Sequence, residues 1–291
     1  MSSNAAAMSS KTKPKSKDEK VDWLSELRGL ALMLLAVFAF HSFVAKPFYI
    51  PSESMLPNLL VGDRLVVSKY PYGWNWSSIS FHLAPRSDWR LFGKTPEYGD
   101  IVIPVHPQVD EDYIKRVVAL PGDRIAVRNG QIILNGTPVP QRAEPTLDLP
   151  VDANSTCLGF GDPSFLATST AGKEVCRVPV YRETLPNGAT YLIIDHENQP
   201  LDNVAEQIVP EGSVFVMGDN RDHSADSRET FDPRGLLGPV PLENIGGRAE
   251  FITFSLDGTT SLNPLTWFTS LRSGRAGSTL RPAKIASPAA G

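Results

Sequence analysis

Leu30 to Ala45, LALMLLAVFAFHSFVA, runs for sixteen residues without an Asp, Glu, Lys or Arg, His41 being its one side chain that could carry a charge. At 1.5 Å per residue a helix of this length spans about 24 Å, a little less than the ~30 Å hydrocarbon layer, so Leu27 and Gly29 are expected to extend it. A single membrane-crossing helix over residues 27–45 is the reading this favours. The rival is a cleavable secretory signal, whose apolar core has a similar length. No A-x-A site closes the run, and a candidate chemical motif begins only a few residues later, so a retained anchor fits better. Lys11, Lys13, Lys15, Lys17, Lys20 and Arg28 precede the run, while only Lys46 follows closely. That asymmetry puts the N-terminus in the cytoplasm and everything after Ala45 outside it. The segment before the helix, residues 1–26, opens with Ser, Ala and Lys and reads as a disordered tail with nothing to bury.

Beyond Ala45 the pattern changes period. Short β-branched runs alternate with turn signals: LVVS at 65, DIVIPV at 100, YIKRVVAL at 113, DRIAVRN at 123, QIILN at 131, TYLIID at 190, SVFVMG at 213 and RAEFITFSL at 248. Asn129-Gly130 between two of them is a type I′ hairpin signal. With 25 prolines and 22 glycines in 291 residues, the expectation is a mainly β fold, an antiparallel β-rich domain over 46–257 behind one N-terminal helix. Two insertions interrupt it. Trp74 to Glu97 carries Trp74, Trp76, Phe81, Trp89 and Phe92, either as an interfacial surface or as an aromatic-packed loop. Residues 141–188 are rich in Pro, Thr and Asp and read as a long excursion between hairpins. They hold both cysteines, Cys157 and Cys176, whose pairing the sequence leaves open. Residues 258–291 read as a C-terminal tail, disordered from 274, with Leu262 to Leu271 as a second aromatic stretch that could touch lipid. A net charge of −4 gives no reason to expect nucleic acid.

Three segments carry candidate chemistry. Pro51-Ser52-Glu53-Ser54-Met55-Leu56-Pro57 is a stiff turn just past the helix. Ser54 lies nine residues beyond Ala45, so its hydroxyl stays within ~30 Å of the membrane in the anchored reading. A serine nucleophile needs a base. Among the five histidines only His223 falls in a segment of chemical character. The other candidate is Lys115, which strand alternation places with Tyr113, Val117 and Ala119. Burial there would favour the neutral amine, while an edge strand would leave it charged in water. The third segment is Met217 to Arg228, MGDNRDHSADSR, which taken alone is a solvated loop cross-braced by Asp/Arg pairs. Its Asp219 and Asp222 lack the downstream Glu and central Gly of a calcium loop, and neither cysteine has zinc spacing, so neither a metal nor another cofactor is expected.

Together PSESM at 51, GDRLVVSKY at 62, YIKRVVALPGD at 113 and GDNRDHSADSR at 218 resemble, in order, the successive boxes of the bacterial type I signal peptidases. The resemblance covers about half the chain and implies a membrane-bound serine endopeptidase with a Ser/Lys dyad, cutting after A-x-A sites of exported preproteins through an acyl-enzyme. It implies Ser54 as nucleophile, Lys115 as base, and Ser52 with the Ser54 N–H as oxyanion hole. Ser224 would hold the lysine amine, Asp226 and Arg228 would support the loop, and Met217 and Tyr113 would keep water away. Phe48, Ile50, Leu59, Tyr113 and Ile114 would line shallow substrate pockets. The implied setting is a monomer in the inner membrane, N-terminus cytoplasmic and catalytic domain in the periplasm. Glu53, where many relatives carry a small residue, and His223, where Asn is common, depart from the pattern. So does the single helix, since enterobacterial relatives have two.

Two other functions remain at this stage. One keeps the Ser/Lys chemistry on a different substrate, as in conjugative-transfer peptidases or self-cleaving repressors. The other is a non-enzymatic peptide-binding scaffold.

Overall fold

The computed structural model describes residues 22–157 and 163–285, so all but the end of the expected disordered tail over 1–26 lies outside the described residues, and that end, from Trp23, is helical. The described chain divides between Val37 and Phe38 into two units. The first is the body of α1 (Trp23–Phe43). This helix starts four residues earlier and stops two residues sooner than the sequence suggests, because Trp23 and Leu24 continue its apolar character and strand pairing has begun by Ala45. At 21 residues it rises about 31 Å, enough to cross a bilayer. Its leucines stand free on every side, Leu24 at 77% and Leu35 at 62% exposure, so nothing in its own unit covers them.

From Phe38 the chain is mainly β, as the alternation predicts. A seven-stranded antiparallel sheet runs in the order β1 (Ala45–Tyr49), β2 (Asp63–Ser68), β17 (Ile245–Ser255), β5 (Ile101–Pro104), β6 (Lys115–Ala119), β15 (Ser213–Met217) and β16 (Val240–Pro241). A four-stranded sheet joins β14 (Val204–Ile208), β7 (Arg124–Arg128), β8 (Gln131–Leu134) and β9 (Thr137–Pro138). A third contains β10 (Gln141–Pro150), β12 (Glu174–Thr184), β13 (Ala189–Ile193) and β18 (Ala283–Lys284), with β11 (Leu166–Thr168) beside β12. A short pair, β3 (Trp74–Asn75) with β4 (Arg90–Leu91), and the single turn α2 (Leu265–Thr269) complete the set. Asn129 and Gly130 both take positive φ, 48° and 78°, which is the type I′ geometry that joins β7 to β8.

The two insertions are built differently. The described part of 141–188 holds a long antiparallel pair, β10 on β12, with a register shift between Glu144 and Leu147. Cys157 and Cys176 are disulfide-bonded with Cα atoms 5.2 Å apart, and both are buried against Leu149, Val178 and Val180. The aromatic insertion holds both buried and exposed side chains. Trp76 is buried, 1% exposed, whereas Phe81 and Phe92 are 75% and 83% exposed. The insertion also grips the end of α1: Trp74 Nε1 donates to the Phe43 carbonyl at 2.8 Å, and the Ser80 N–H donates to Ser42 Oγ at 3.1 Å.

The expected C-terminal tail is in fact ordered as far as the described residues go. Arg275 forms a forked ion pair with buried Asp63 and donates to the Asn58 carbonyl at 3.0 Å. Leu280, 7% exposed, joins the cluster of Ile50, Leu59 and Ile252. Composition made this stretch look like a tail, because backbone bonds and ion pairs to residues distant in sequence carry most of its attachment. The disulfide closes a loop of 19 residues, and by chain entropy that is worth about 3 kcal/mol. The Cys157→Ser/Cys176→Ser variant is therefore expected to lose about that much stability in a denaturant titration, and to retain the β-sheet circular dichroism spectrum.

Candidate active site

The site is assembled where two neighbouring strands stop. Lys115 opens β6 opposite Val102 of β5, and β15 runs antiparallel on the other side with Met217 opposite Arg116. Gly218 follows directly, and the chain turns into the 218–228 loop. Here glycine is a matter of space: a Cβ would lie 2.2 Å from Ser224 Oγ and 2.5 Å from the Ser54 carbonyl oxygen. The bare backbone lets the loop close down on the segment that carries the two serines. Asn220 then fastens that segment, its N–H donating to the Ser54 carbonyl at 3.1 Å and its Nδ2 to the Glu53 carbonyl at 3.2 Å.

This closure brings together side chains 61 residues apart in sequence. Lys115 Nζ donates to Ser54 Oγ at 2.9 Å and to the Ile114 carbonyl at 3.0 Å. Both groups are buried, Lys115 at 4% and Ser54 at 7% exposure. Ser52 stands exposed beside them, with its Oγ 3.4 Å from that of Ser54. The Tyr113 ring centroid lies 5.5 Å from Lys115 Nζ. These groups border a cleft of about 400 Å³, with Phe48, Tyr113 and Ile114 on its wall.

Burial dominates the charge state of Lys115, pushing its amine down to about 8 from the ordinary 10.5. Asp226 and Asp219 pull the other way, and Arg228 adds to the depression. The carboxylates lose the contest because each is already matched. Arg116 holds Asp219 through Nε at 2.7 Å and Nη2 at 2.6 Å. Arg228 holds Asp226 through Nε and Nη2, both at 3.0 Å, and the Gly218 N–H adds a bond at 2.9 Å. At pH 7 about one Lys115 amine in ten is then uncharged. A hydroxyl in contact with an amine that can be neutral is the arrangement a base-activated nucleophile requires.

Residues 23–254 match the family model described as signal peptidase, peptidase S26. The chain belongs to the signal peptidase family, peptidase S26. It is accordingly a serine endopeptidase, a hydrolase. The signal peptidase I of Rickettsia bellii (strain OSU 85-389) is 32% identical over 258 residues, covering 84% of this chain and 75% of that protein. That of Rickettsia typhi (strain ATCC VR-144 / Wilmington) is 32% identical over 241 residues, covering 79% and 80%. A solved signal peptidase I from Enterococcus faecalis V583 overlaps 53% of this chain and 97% of its own, at 20% identity and a TM-score of 0.26, a likeness too slight to build on.

In this peptidase the expected site residues fall into three groups. Ser52, Ser54, Lys115, Phe48, Tyr113 and Ile114 meet at the cleft. Asp226 and Arg228 lie behind it as a buried pair, at 0% and 3% exposure. The rest sit elsewhere than expected. Ile50 and Leu59 have no exposed surface and pack in the core with Met55, Leu65 and Ile252, so they do not line the cleft; strand and turn geometry point them inward beneath Ile114. Ser224 makes no hydrogen bond with Lys115; its hydroxyl sits over Gly218, beside Asp226, and the Ile114 carbonyl takes the place it was expected to fill. Met217 is buried among Val118, Ala119 and Phe215.

The loop itself is not solvated. Asp219, Arg221, Asp226 and Arg228 are all at most 3% exposed, and the charge network continues inward. Arg221 pairs with Glu183 as a buried fork, Tyr191 donates to Glu183 at 2.9 Å, and the Tyr191 ring lies 4.1 Å from the Arg116 guanidinium. Asn58 caps the array with bonds to Asp219 and to the Leu192 carbonyl, each 2.7 Å. Sequence reasoning missed Glu183, Tyr191 and Asn58, and also Asp112 and Arg234 on the cleft rim, since no local spacing marks them. Glu53 and His223, the two departures from the family pattern, face one another electrically: burial raises the Glu53 carboxyl and His223 draws it back down.

Because Asp219 and Arg116 are both buried, removing one leaves an unmatched charge. Arg116→Met is expected to cost about 3–5 kcal/mol in a denaturant titration, and the Arg116→Met/Asp219→Asn double variant to recover a large part of that loss.

Proposed function

We propose that this chain is a membrane-anchored signal peptidase that cleaves N-terminal signal peptides from exported preproteins with a Ser54/Lys115 dyad. The 2.9 Å contact between a buried lysine amine and the Ser54 hydroxyl carries the reading. An extended substrate adds as a β-strand along the cleft, its backbone supplying affinity. Phe48, Tyr113 and Ile114 form shallow pockets that admit Ala or Gly and reject larger side chains by clash, which gives the A-x-A preference.

The neutral Lys115 amine takes the Ser54 proton as Oγ attacks the scissile carbonyl carbon. The oxyanion that forms is met by the Ser52 hydroxyl and the Ser54 N–H. When the tetrahedral intermediate collapses, the C–N bond breaks and the Lys115 ammonium returns the proton to the departing amine, the new N-terminus of the mature protein. The signal peptide stays as an ester on Ser54. Water then attacks that ester with Lys115 as base, and collapse frees the peptide and restores the hydroxyl. Asp226 with Arg228, and Asp219 with Arg116, keep the loop shut without supplying the net negative charge that would hold the lysine protonated. Ser224 acts as packing for that loop.

Three observations support placing the chemistry outside the cytoplasm, on a single-pass protein anchored in the inner membrane. The apolar helix ends two residues before β1, the basic residues precede it, and Cys157 pairs with Cys176, as extracytoplasmic cysteines do.

Ser54→Ala is expected to lose all measurable cleavage of a purified preprotein while keeping its thermal midpoint. Specific cleavage after A-x-A across a preprotein panel separates this reading from a peptidase with another substrate. Ordinary turnover by Ser54→Ala would falsify the dyad. The pH profile is a second check. A base must be deprotonated to act, so kcat/KM of the free enzyme is expected to rise about tenfold per pH unit below the amine's pKa of about 8 and to flatten above it. A profile flat from pH 6 to 9, bracketing that value of about 8, would remove Lys115 as the base.

A further inference from the structure

Behind the loop that closes the cleft, three carboxylates from three separate segments converge. Asp195 follows β13, Asp202 ends the short turn Pro200–Asp202, and Asp222 lies in the 218–228 loop between Arg221 and Ser224. One oxygen from each falls within 4.8 Å of the other two. Two oxygens on one calcium lie at most about twice a Ca–O distance of about 2.4 Å apart, and each pair here meets that limit.

Proximity alone would mean little, but the convergence has an unmet demand. The Asp222 side chain has no exposed surface. Its Oδ2 is fully engaged, accepting from the His196 N–H at 2.8 Å and the Glu197 N–H at 3.3 Å, with His196 Nδ1 at 2.9 Å. Its Oδ1 is equally buried and has no hydrogen-bond partner. A carboxylate oxygen withdrawn from water and left bare is costly, and a cation removes that cost. Asp202 keeps one oxygen occupied by the Gln199 N–H at 2.7 Å. Asp195 lies against the Asn129-Gly130 turn, where a Cβ on Gly130 would come within 2.2 Å of Asp195 Oδ2. The glycine that makes the hairpin also clears room for the carboxylate. Arg221 is already committed to Glu183.

The chemistry of the donors selects the ion. A cavity of about 300 Å³ opens over Asp195 and Asp202, edged by the side chains of Asn129, Gln141, Glu197 and Asn198. His196 borders it too, but its Nδ1 lies 2.9 Å from Asp222 Oδ2, and the other four offer oxygen. An oxygen-only, carboxylate-rich set drawn from separate segments suits a hard divalent ion with a large, adaptable shell, and calcium better than magnesium. We propose that Asp195, Asp202 and Asp222 bind one calcium ion, and that the ion braces the loop bearing Ser224 and Asp226 against the 195–202 segment.

The test uses the full chain in detergent, stripped with chelator. Tyr181 borders the cavity and can sensitise terbium luminescence. One terbium ion per chain is expected, displaced by calcium with an affinity of about 10⁻⁴ to 10⁻³ M and by magnesium about tenfold less well. The thermal midpoint should climb with CaCl₂ over the same range. Asp195→Asn/Asp202→Asn keeps the shapes and lies outside the catalytic loop. It is expected to fold without the ion, since it relieves the repulsion, and to lose both responses. The proposal is overturned if the wild-type chain shows neither displaceable terbium nor a midpoint shift up to about 10 mM calcium, or if the double variant responds as the wild type does. Because the wild-type titration decides by itself, a double variant that failed to fold would leave the test intact.

Discussion

A lysine amine that is buried without a carboxylate of its own is the constraint on which this site is built. Burying a charge costs several kcal/mol unless it is matched, and the protein makes use of that cost at Lys115, where the charged form is disfavoured and the free base becomes accessible. Two aspartates close enough to raise its pKa stand nearby, and both are held by arginines. A carboxylate freed of its arginine would draw the lysine toward the ammonium, against the effect of burial. The Asp/Arg pairs are therefore better understood as charge cancellation around a third group than as sources of stability, for which buried pairs are weak candidates. The same balance acts on folding. The unfolded chain binds more protons at Lys115 between pH about 8 and 10.5, so the site's cost in stability is full below that window and fades as pH rises through it.

Topology brings Lys115 and Ser54 together from different elements. Lys115 is placed by strand pairing within the large sheet, with β5 and β15 as neighbours. Ser54 sits on an irregular turn, where no ladder fixes it, and depends on the Asn220 N–H and the close approach of Gly218. One partner is rigid by sheet membership and the other by the 218–228 loop. That division explains why the loop is so deeply anchored, with Arg221 reaching Glu183 on β12 and Arg228 donating to the Arg221 carbonyl at 2.7 Å. Any slackening of the loop would release the serine before it disturbed the lysine.

Much of this was legible in the residues. The apolar run, the alternation and the Asn129-Gly130 turn give the helix, the β class and one hairpin, because each is a local pattern with a local cause. The paired serines, Lys115 and the 218–228 loop could be singled out from motif order. What stayed hidden was set by burial. Strand alternation treats β6 as having two different faces, but every residue of it is buried, so Arg116 is as deeply placed as Lys115. Polar composition made the 218–228 loop look solvated and 274–285 look like a tail, since hydropathy cannot register partners such as Glu183 or Asp63 that lie far away in sequence. The assignment of Ile50 and Leu59 to substrate pockets failed for a related reason, as apolar residues next to a nucleophile serve a core and a cleft equally well on paper.

The two aromatic stretches, alike in composition, differ in where the chain path puts them. Strand register ties Ala45 to Ser68 and Ser68 to Arg248, which marks the end of the sheet reached from α1. Asp63 and Ser255 pair at the other end, about 17 Å away at the usual strand rise, and residues 262–271 follow from there. The 74–92 segment instead returns to α1, bonding Phe43 and Ser42 while leaving Phe81, Leu83, Leu91 and Phe92 uncovered. The same grip reaches the cleft, since His82 of this segment and Lys46 of β1 both hold Asp112 on the rim, at 3.0 and 3.2 Å. The mouth of the site and the foot of the helix are in this way tied through a single carboxylate.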